Sequence, residues 1–132
     1  MSHELPDETI KLLGSAAWSV RERARVHGKT RVGCAAFDEE GRLYTGCNME
    51  HRFRSHDVHA EVSTISSLVS GGGKSLVAIF IAAERQRFTP CGACLDWIFE
   101  VGGEDCIVLN QGIQEGPTLQ HTAAELMPFY PR

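Results

Sequence analysis

Leu76-Val77-Ala78-Ile79-Phe80-Ile81-Ala82-Ala83 is the stretch on which the fold of this chain turns. It contains no polar residue and so has no face to offer to water. A strand of that composition is buried on both sides, as strands of a parallel sheet between helices are. On its N-terminal side Val62, Ile65, Leu68 and Val69 recur at helical spacing. They predict a helix that begins near His59 and stops at Gly71-Gly72-Gly73. On its C-terminal side Thr89-Pro90 opens another helix, with proline near the first position and Cys94, Leu95, Ile98 and Val101 on the inner face. Cys106 to Leu109 reads as a short strand beyond that helix.

Farther out, Ile10, Leu13, Ala17, Val20 and Ala24 place a helix over Pro6 to Val26, with Arg21 to Arg25 on its solvated side. His27-Gly28-Lys29 ends it. Arg31 to Phe37 and Arg42 to Asn48 read as a hairpin about Asp38-Glu39-Glu40-Gly41. Residues 50–58 are polar, without period, and read as a loop. Thr122 to Leu126 adds a helical turn before Pro128. The order of elements predicts an α/β fold, a mixed sheet with helices packed on it, with residues 1–132 as one domain.

The formal net charge of -4 supplies no global attraction to nucleic acid or anionic lipid, so neither is expected as a partner. The N-terminal residues are acidic and lack the order of a secretory signal, and no apolar run approaches the roughly 18 residues of a membrane span. A cytoplasmic location is the expectation. Five cysteines in such a chain argue against a disulfide framework. Cys34 and Cys106 stand in apolar runs and read as small buried residues, whereas Cys47 abuts Asn48.

The remaining two cysteines belong to the chemistry. His59-Ala60-Glu61 and Pro90-Cys91-Gly92-Ala93-Cys94 together offer one imidazole and two thiols. Three protein ligands of that kind suit Zn²⁺ and leave the fourth tetrahedral position for water, as in catalytic sites. The intervening helix, strand and loop form a crossover unit, which returns the second motif beside the first. Both motifs then lie at helix N-termini, where the dipole favours thiolates. Glu61 is placed to carry the proton that an acidified water releases. Alone, a His-x-Glu is usually surface and a Cys-x-x-Cys is often a redox pair or a structural zinc knuckle. In combination they point to a zinc hydrolase.

These residues match the zinc-dependent deaminase signature, His-x-Glu followed by Pro-Cys-x-x-Cys. The chain resembles the small cytidine deaminases from Val32-Gly33-Cys34-Ala35-Ala36, through Gly46-Cys47-Asn48-Met49-Glu50, to Glu125-Leu126-Met127-Pro128. The resemblance implies a three-layer α/β/α fold with a mixed five-stranded sheet and one Zn²⁺ per subunit on His59, Cys91 and Cys94. It implies a homo-oligomer, usually a tetramer, with a dimer as the other possibility. It assigns the sugar hydroxyls of a nucleoside to Asn48 and Glu50 and adds Ala60 to the substrate-binding residues. By the family's mechanism zinc hydroxide attacks C4 of cytidine or deoxycytidine. Glu61 moves a proton to the ring nitrogen and then to the departing amine, giving uridine or deoxyuridine and ammonia.

Four positions depart from the family's pattern. His59 stands where short members usually have cysteine, and Val62 where many have arginine. The two changes offset each other in charge, so the site still reads as functional. Thr30-Arg31 replaces an apolar Phe-Pro, and His51 replaces asparagine. The loop His51-Arg52-Phe53-Arg54-Ser55-His56 is basic. Thr30, His51, Arg52 and Arg54 are therefore candidate substrate-loop residues. They raise an alternative substrate, a modified aminopyrimidine nucleoside such as blasticidin S or an anionic cytosine derivative, read by bidentate arginine. A solvated loop or a subunit interface is the simpler explanation and the one favoured for the basic loop. A polynucleotide editor is disfavoured by charge and by the lack of an aromatic-rich basic groove. A non-catalytic zinc-stabilised binding protein is disfavoured by Glu61, which ligation does not need. Phe129 and Tyr130 close a pocket or anchor the core or an interface.

Overall fold

The all-apolar run forms β3 (Leu76–Ala83), the middle strand of a five-stranded sheet in the order β2-β1-β3-β4-β5. In this computed structural model, which describes residues 4–85 and 89–131, the other elements are α1 (Asp7–Arg21), β1 (Val32–Asp38), β2 (Leu43–Cys47), α2 (Ala60–Ser70), α3 (Gly92–Gly102), β4 (Ile107–Gln111), β5 (Thr118–Thr122) and α4 (Ala123–Leu126). β3 and β4 run parallel across the α3 crossover, and every other pairing is antiparallel. The sheet is mixed, as expected.

Alternation along β3 explains why both its faces are apolar. Ala78, Phe80 and Ala82 face α1 and pack with Leu13, Ala17 and Trp18. Ile79, Ile81 and Ala83 face the other way, into a core with Ile65 and Leu68 of α2 and Ile98 and Phe99 of α3. One helix covers one face and three cover the other, which gives the three layers. The contact between α1 and β1 is close enough to require glycine at position 33. A Cβ there would lie 2.1 Å from the Ala17 carbonyl oxygen, and no rotamer change relieves a clash with backbone.

The β1–β2 turn is organised by one buried carboxylate. Asp38 Oδ1 accepts the Glu40 and Arg42 N–H groups, both at 2.9 Å, and Oδ2 accepts from Arg42 Nε at 2.8 Å and the Tyr44 hydroxyl at 2.9 Å. Burial pushes the Asp38 carboxyl up, but these bonds outweigh it and hold the group below its ordinary value. Gly41 closes the turn at φ 77°, in the left-handed region that favours glycine.

The structure corrects the sequence reading at four places. α1 stops at Arg21 instead of continuing to Val26. From there the backbone bends so that the Arg25 N–H donates to the Asn48 carbonyl and its carbonyl accepts from the Glu50 N–H. That long-range pairing overrides local periodicity. Arg21 is not solvated: its side chain lies over the Trp18 ring and its Nε donates to the Arg31 carbonyl at 3.1 Å. α3 starts at Gly92, with Pro90 ahead of the cap instead of inside the helix. β5 had no counterpart in the reading, because Thr-Leu-Gln-His-Thr is polar and, as an edge strand, largely open to water. Among the described residues, no helix is long and apolar enough to cross a membrane.

Candidate active site

His59 is the N-cap of α2 and Cys91 the N-cap of α3, and both have extended backbone. An N-cap side chain ordinarily accepts a bond from its own helix. Neither does so here, which leaves imidazole and thiol to face each other across the gap between the helices. Cys94, on the first turn of α3, completes the group. His59 Nδ1 lies 3.3 Å from Cys94 Sγ and 3.4 Å from Cys91 Sγ. The three candidate ligand atoms fall within 4.8 Å of one another.

Those distances fit a zinc ion. Tetrahedral bonds to nitrogen and sulfur put the two ligand atoms about 3.5 Å apart, close to the spacing found. The donor set fits as well, since imidazole and thiolate are preferred zinc ligands and carboxylates are absent from the trio. Burial raises the Cys94 thiol far above its ordinary value, with the Glu61 carboxylate adding to the effect and the Val62 N–H opposing it. Burial also raises Glu61, which is only 2% exposed, with its own N–H and the His59 and Cys94 neighbours opposing. A thiol and a carboxyl driven upward side by side form a pocket that a cation stabilises.

His59 and Cys91 line a cleft of about 430 Å³ together with Glu61 and Ala60, and Cys94 lies buried beside them. The same cleft is lined by Thr30, Asn48, Glu50 and Arg54. Asn48 Oδ1 accepts the Val32 N–H and its Nδ2 donates to the Thr30 carbonyl, both at 2.8 Å. Glu50 Oε1 accepts the His27 and Gly28 N–H groups at 2.7 and 2.9 Å. Those N–H bonds lead the causes that hold the Glu50 carboxyl below its ordinary value. The bend that ended α1 early therefore has a use. It delivers two backbone donors to this carboxylate.

A family model of the cytidine and deoxycytidylate deaminase zinc-binding region matches residues 7–110 of this chain. The chain belongs to the cytidine and deoxycytidylate deaminase family. Its relatives include a cytidine deaminase of Sporosarcina psychrophila, 34% identical over 90% of this chain and 88% of that protein. A cytidine deaminase of Mycobacterium tuberculosis is 30% identical over 79% of this chain and 80% of its own length. Among solved structures, a cytidine deaminase of Burkholderia pseudomallei superposes with a TM-score of 0.83 at 27% identity, covering 90% of this chain and 96% of that one. The Mycobacterium leprae cytidine deaminase does so at 0.79 and 31%, covering 90% and 97%. The α/β fold with its mixed sheet, the aminohydrolase class and the zinc requirement all follow from this membership.

Within this deaminase the candidate loop residues separate. Thr30 and Arg54 line the cleft; His51 and Arg52 do not. The His51 Nδ1 atom accepts the Phe53 N–H, and Arg52 lies over the Phe53 ring at 5.4 Å, turned to the surface. Arg54 is engaged on both sides, by Glu50 Oε2 at 3.0 Å and Asp57 Oδ2 at 2.9 Å. Its charge is compensated, which removes the motive for an anionic substrate. Tyr130 stacks on Phe99 and bonds Asp96, so it anchors α3, while Phe129 is exposed. The sequence reading passed over Asp57, Arg85 and Thr89, which also line the cleft. Arg85 was legible in principle: a charged residue just beyond the C-terminal end of a buried strand is where α/β folds place ligand contacts.

Proposed function

We propose that this deaminase hydrolyses cytidine and 2′-deoxycytidine to uridine and 2′-deoxyuridine, releasing ammonia. One observation carries the reading: a single cleft is lined by two members of a three-donor zinc-type group, a buried carboxyl and an amide–carboxylate pair. The reaction needs all of them. His59, Cys91 and Cys94 would hold the ion. When bound, zinc supplies the Lewis acidity that makes a water nucleophilic near neutral pH.

The remaining work falls to this chain's own groups. Asn48 and Glu50 take the sugar hydroxyls, held in place by the backbone bonds to Val32, Thr30, His27 and Gly28. A site built to bond a hydroxyl discriminates strongly against ligands that lack it. Ala60, buried at the start of α2, lines the cleft with only a methyl group, which leaves the pyrimidine room to approach. Glu61 holds the proton in a water-poor pocket and delivers it to the ring nitrogen, then to the amine leaving C4.

The chain works as one domain in this reading, in the cytoplasm, as a homo-oligomer with a tetramer as the leading form. Ile113 and Leu119, exposed and lining one groove, support self-association. Light scattering of the purified protein measures its mass, and a monomer at all concentrations would remove that part.

Ammonia release from a panel of cytidine, deoxycytidine, cytosine, CMP and blasticidin S tests the function. Turnover of the first two well above the rest is the expected result. Preference for blasticidin S or CMP would overturn the substrate, and failure to deaminate any member with metal bound would overturn the reaction.

A further inference from the structure

Arg54 sits among the sugar-binding groups yet has no counterpart in the chemistry described so far. Its Nη2 lies 3.0 Å from Glu50 Oε2, on the oxygen that the His27 and Gly28 N–H groups leave untouched. Its Nε donates to Asp57 Oδ2 at 2.9 Å, and Asp57 Oδ1 in turn accepts the His51 N–H at 2.8 Å. The guanidinium is thereby fixed in orientation from two sides. Five N–H donors are available to an arginine, and these contacts leave the Nη1 edge uncommitted. The side chain remains 58% exposed and lines the cleft.

We infer that Arg54 is a specificity-determining residue of the cleft, a donor set beside the Glu50 acceptor so that the pair reads one hydroxyl in both of its hydrogen-bonding roles. A hydroxyl has one proton to give and two lone pairs to fill. Glu50 Oε2 has a lone pair left after Arg54 to take the proton. The free guanidinium edge donates to the lone pair of the same oxygen. An ether, a hydrogen or a methyl group at that position satisfies at most one partner. Asp57 and Glu50 neutralise the arginine, so the pair selects a neutral hydroxyl over an anion. The inference rests on the cleft taking a nucleoside, as proposed above.

The test compares wild type with Arg54→Ala and Arg54→Lys on cytidine, 2′-deoxycytidine and 2′,3′-dideoxycytidine, after zinc content and thermal midpoint have been matched. Wild type favours the two hydroxyl-bearing substrates over the dideoxy compound. Arg54→Ala should lose roughly 10- to 100-fold in kcat/KM on those two, the range a charge-assisted bond carries, with the loss falling mainly on KM. On the dideoxy compound it should lose less than about 3-fold, so the discrimination collapses. Arg54→Lys, which keeps the charge and one donor, should fall between. Equal losses on all three substrates would show a merely structural brace and overturn the inference. An unchanged or lower KM for cytidine in Arg54→Ala would show that arginine competes with the sugar for Glu50, and would overturn it too. Wild-type turnover of all three without discrimination also overturns it while leaving the deaminase reading intact. A zinc-loaded wild type that turns over none of them defeats both.

Discussion

In the metal group, three candidate ligand atoms come from two helix starts that rest on the hydrophobic core, with Ala60, Glu61 and Cys94 buried and His59 and Cys91 exposed. In the second group, Asn48 and Glu50 are held by backbone groups of residues 27–32, and Arg54 and Asp57 by one another. The metal group is positioned by helix starts packed on the core and the second group by hydrogen bonds and ion pairs. Packed groups tolerate little change, whereas a loop of ion pairs can exchange one side chain for another without disturbing the sheet. Under the proposed function, reaction and substrate choice therefore lie in parts of the molecule that can vary separately.

The contrast is broken most completely at the metal ligands. Cys94→Ala should remove stoichiometric zinc and take ammonia release to background, as metal analysis and an activity assay would show together. Next in size, Glu61→Gln should keep the metal and the fold but lower kcat by roughly 10²- to 10⁴-fold, the usual contribution of a positioned proton-transfer group. Retained kcat would mean that another group carries the proton. In the second group, Asn48→Ala should raise KM for cytidine and also cost about 1–3 kcal/mol of stability, because it leaves the buried Val32 N–H without its acceptor. Denaturant melts and saturation kinetics separate the two effects.

Outside the cleft, Asp38 sharpens the comparison through pH. Its carboxyl is lower in the folded state than in the unfolded chain, so its stabilisation is complete above the unfolded value, about 3.9, and is lost as pH falls through the folded value. Asp38→Asn should lower the melting midpoint at pH 7 and do so progressively less on acidification below about pH 4. A constant difference across that range would contradict the assignment. The smallest effect belongs to Arg52→Ala. Its side chain lies on Phe53 outside the cleft, and kcat/KM should stay within about 2-fold of wild type, since surface substitutions of this kind seldom matter.

The same division governs what could be read from the sequence. Residue type and spacing announce the metal group: His59, Glu61, Cys91 and Cys94 have few other reasons to occur together, and each lies at the start of a helix with a plain apolar pattern. β3 was equally legible, because a strand buried on both faces has no polar positions. The second group was legible only in part. Asn48 and Glu50 were found through resemblance, but their backbone partners at 27–32 depend on α1 stopping at Arg21, which no local periodicity signals. The three loop candidates His51, Arg52 and Arg54 looked alike as a basic cluster. Only three-dimensional pairing with Asp57 and Glu50 separates Arg54 from Arg52. β5 escaped notice because an edge strand facing water lacks the alternation that identifies its neighbours.

The position of β3 in the sheet also bears on how quickly the molecule can assemble. Its antiparallel pairing with β1 joins Val32 to Ala83, and its parallel pairing with β4 spans all of α3. Loop closure over such separations costs entropy before any contact repays it, and folding slows as contacts become less local. Neither group exists until that closure is made, since Asn48 is anchored to the start of β1 and Cys91 follows β3. In refolding from denaturant, zinc uptake and ammonia release should return together and late, with helical signal recovering ahead of both.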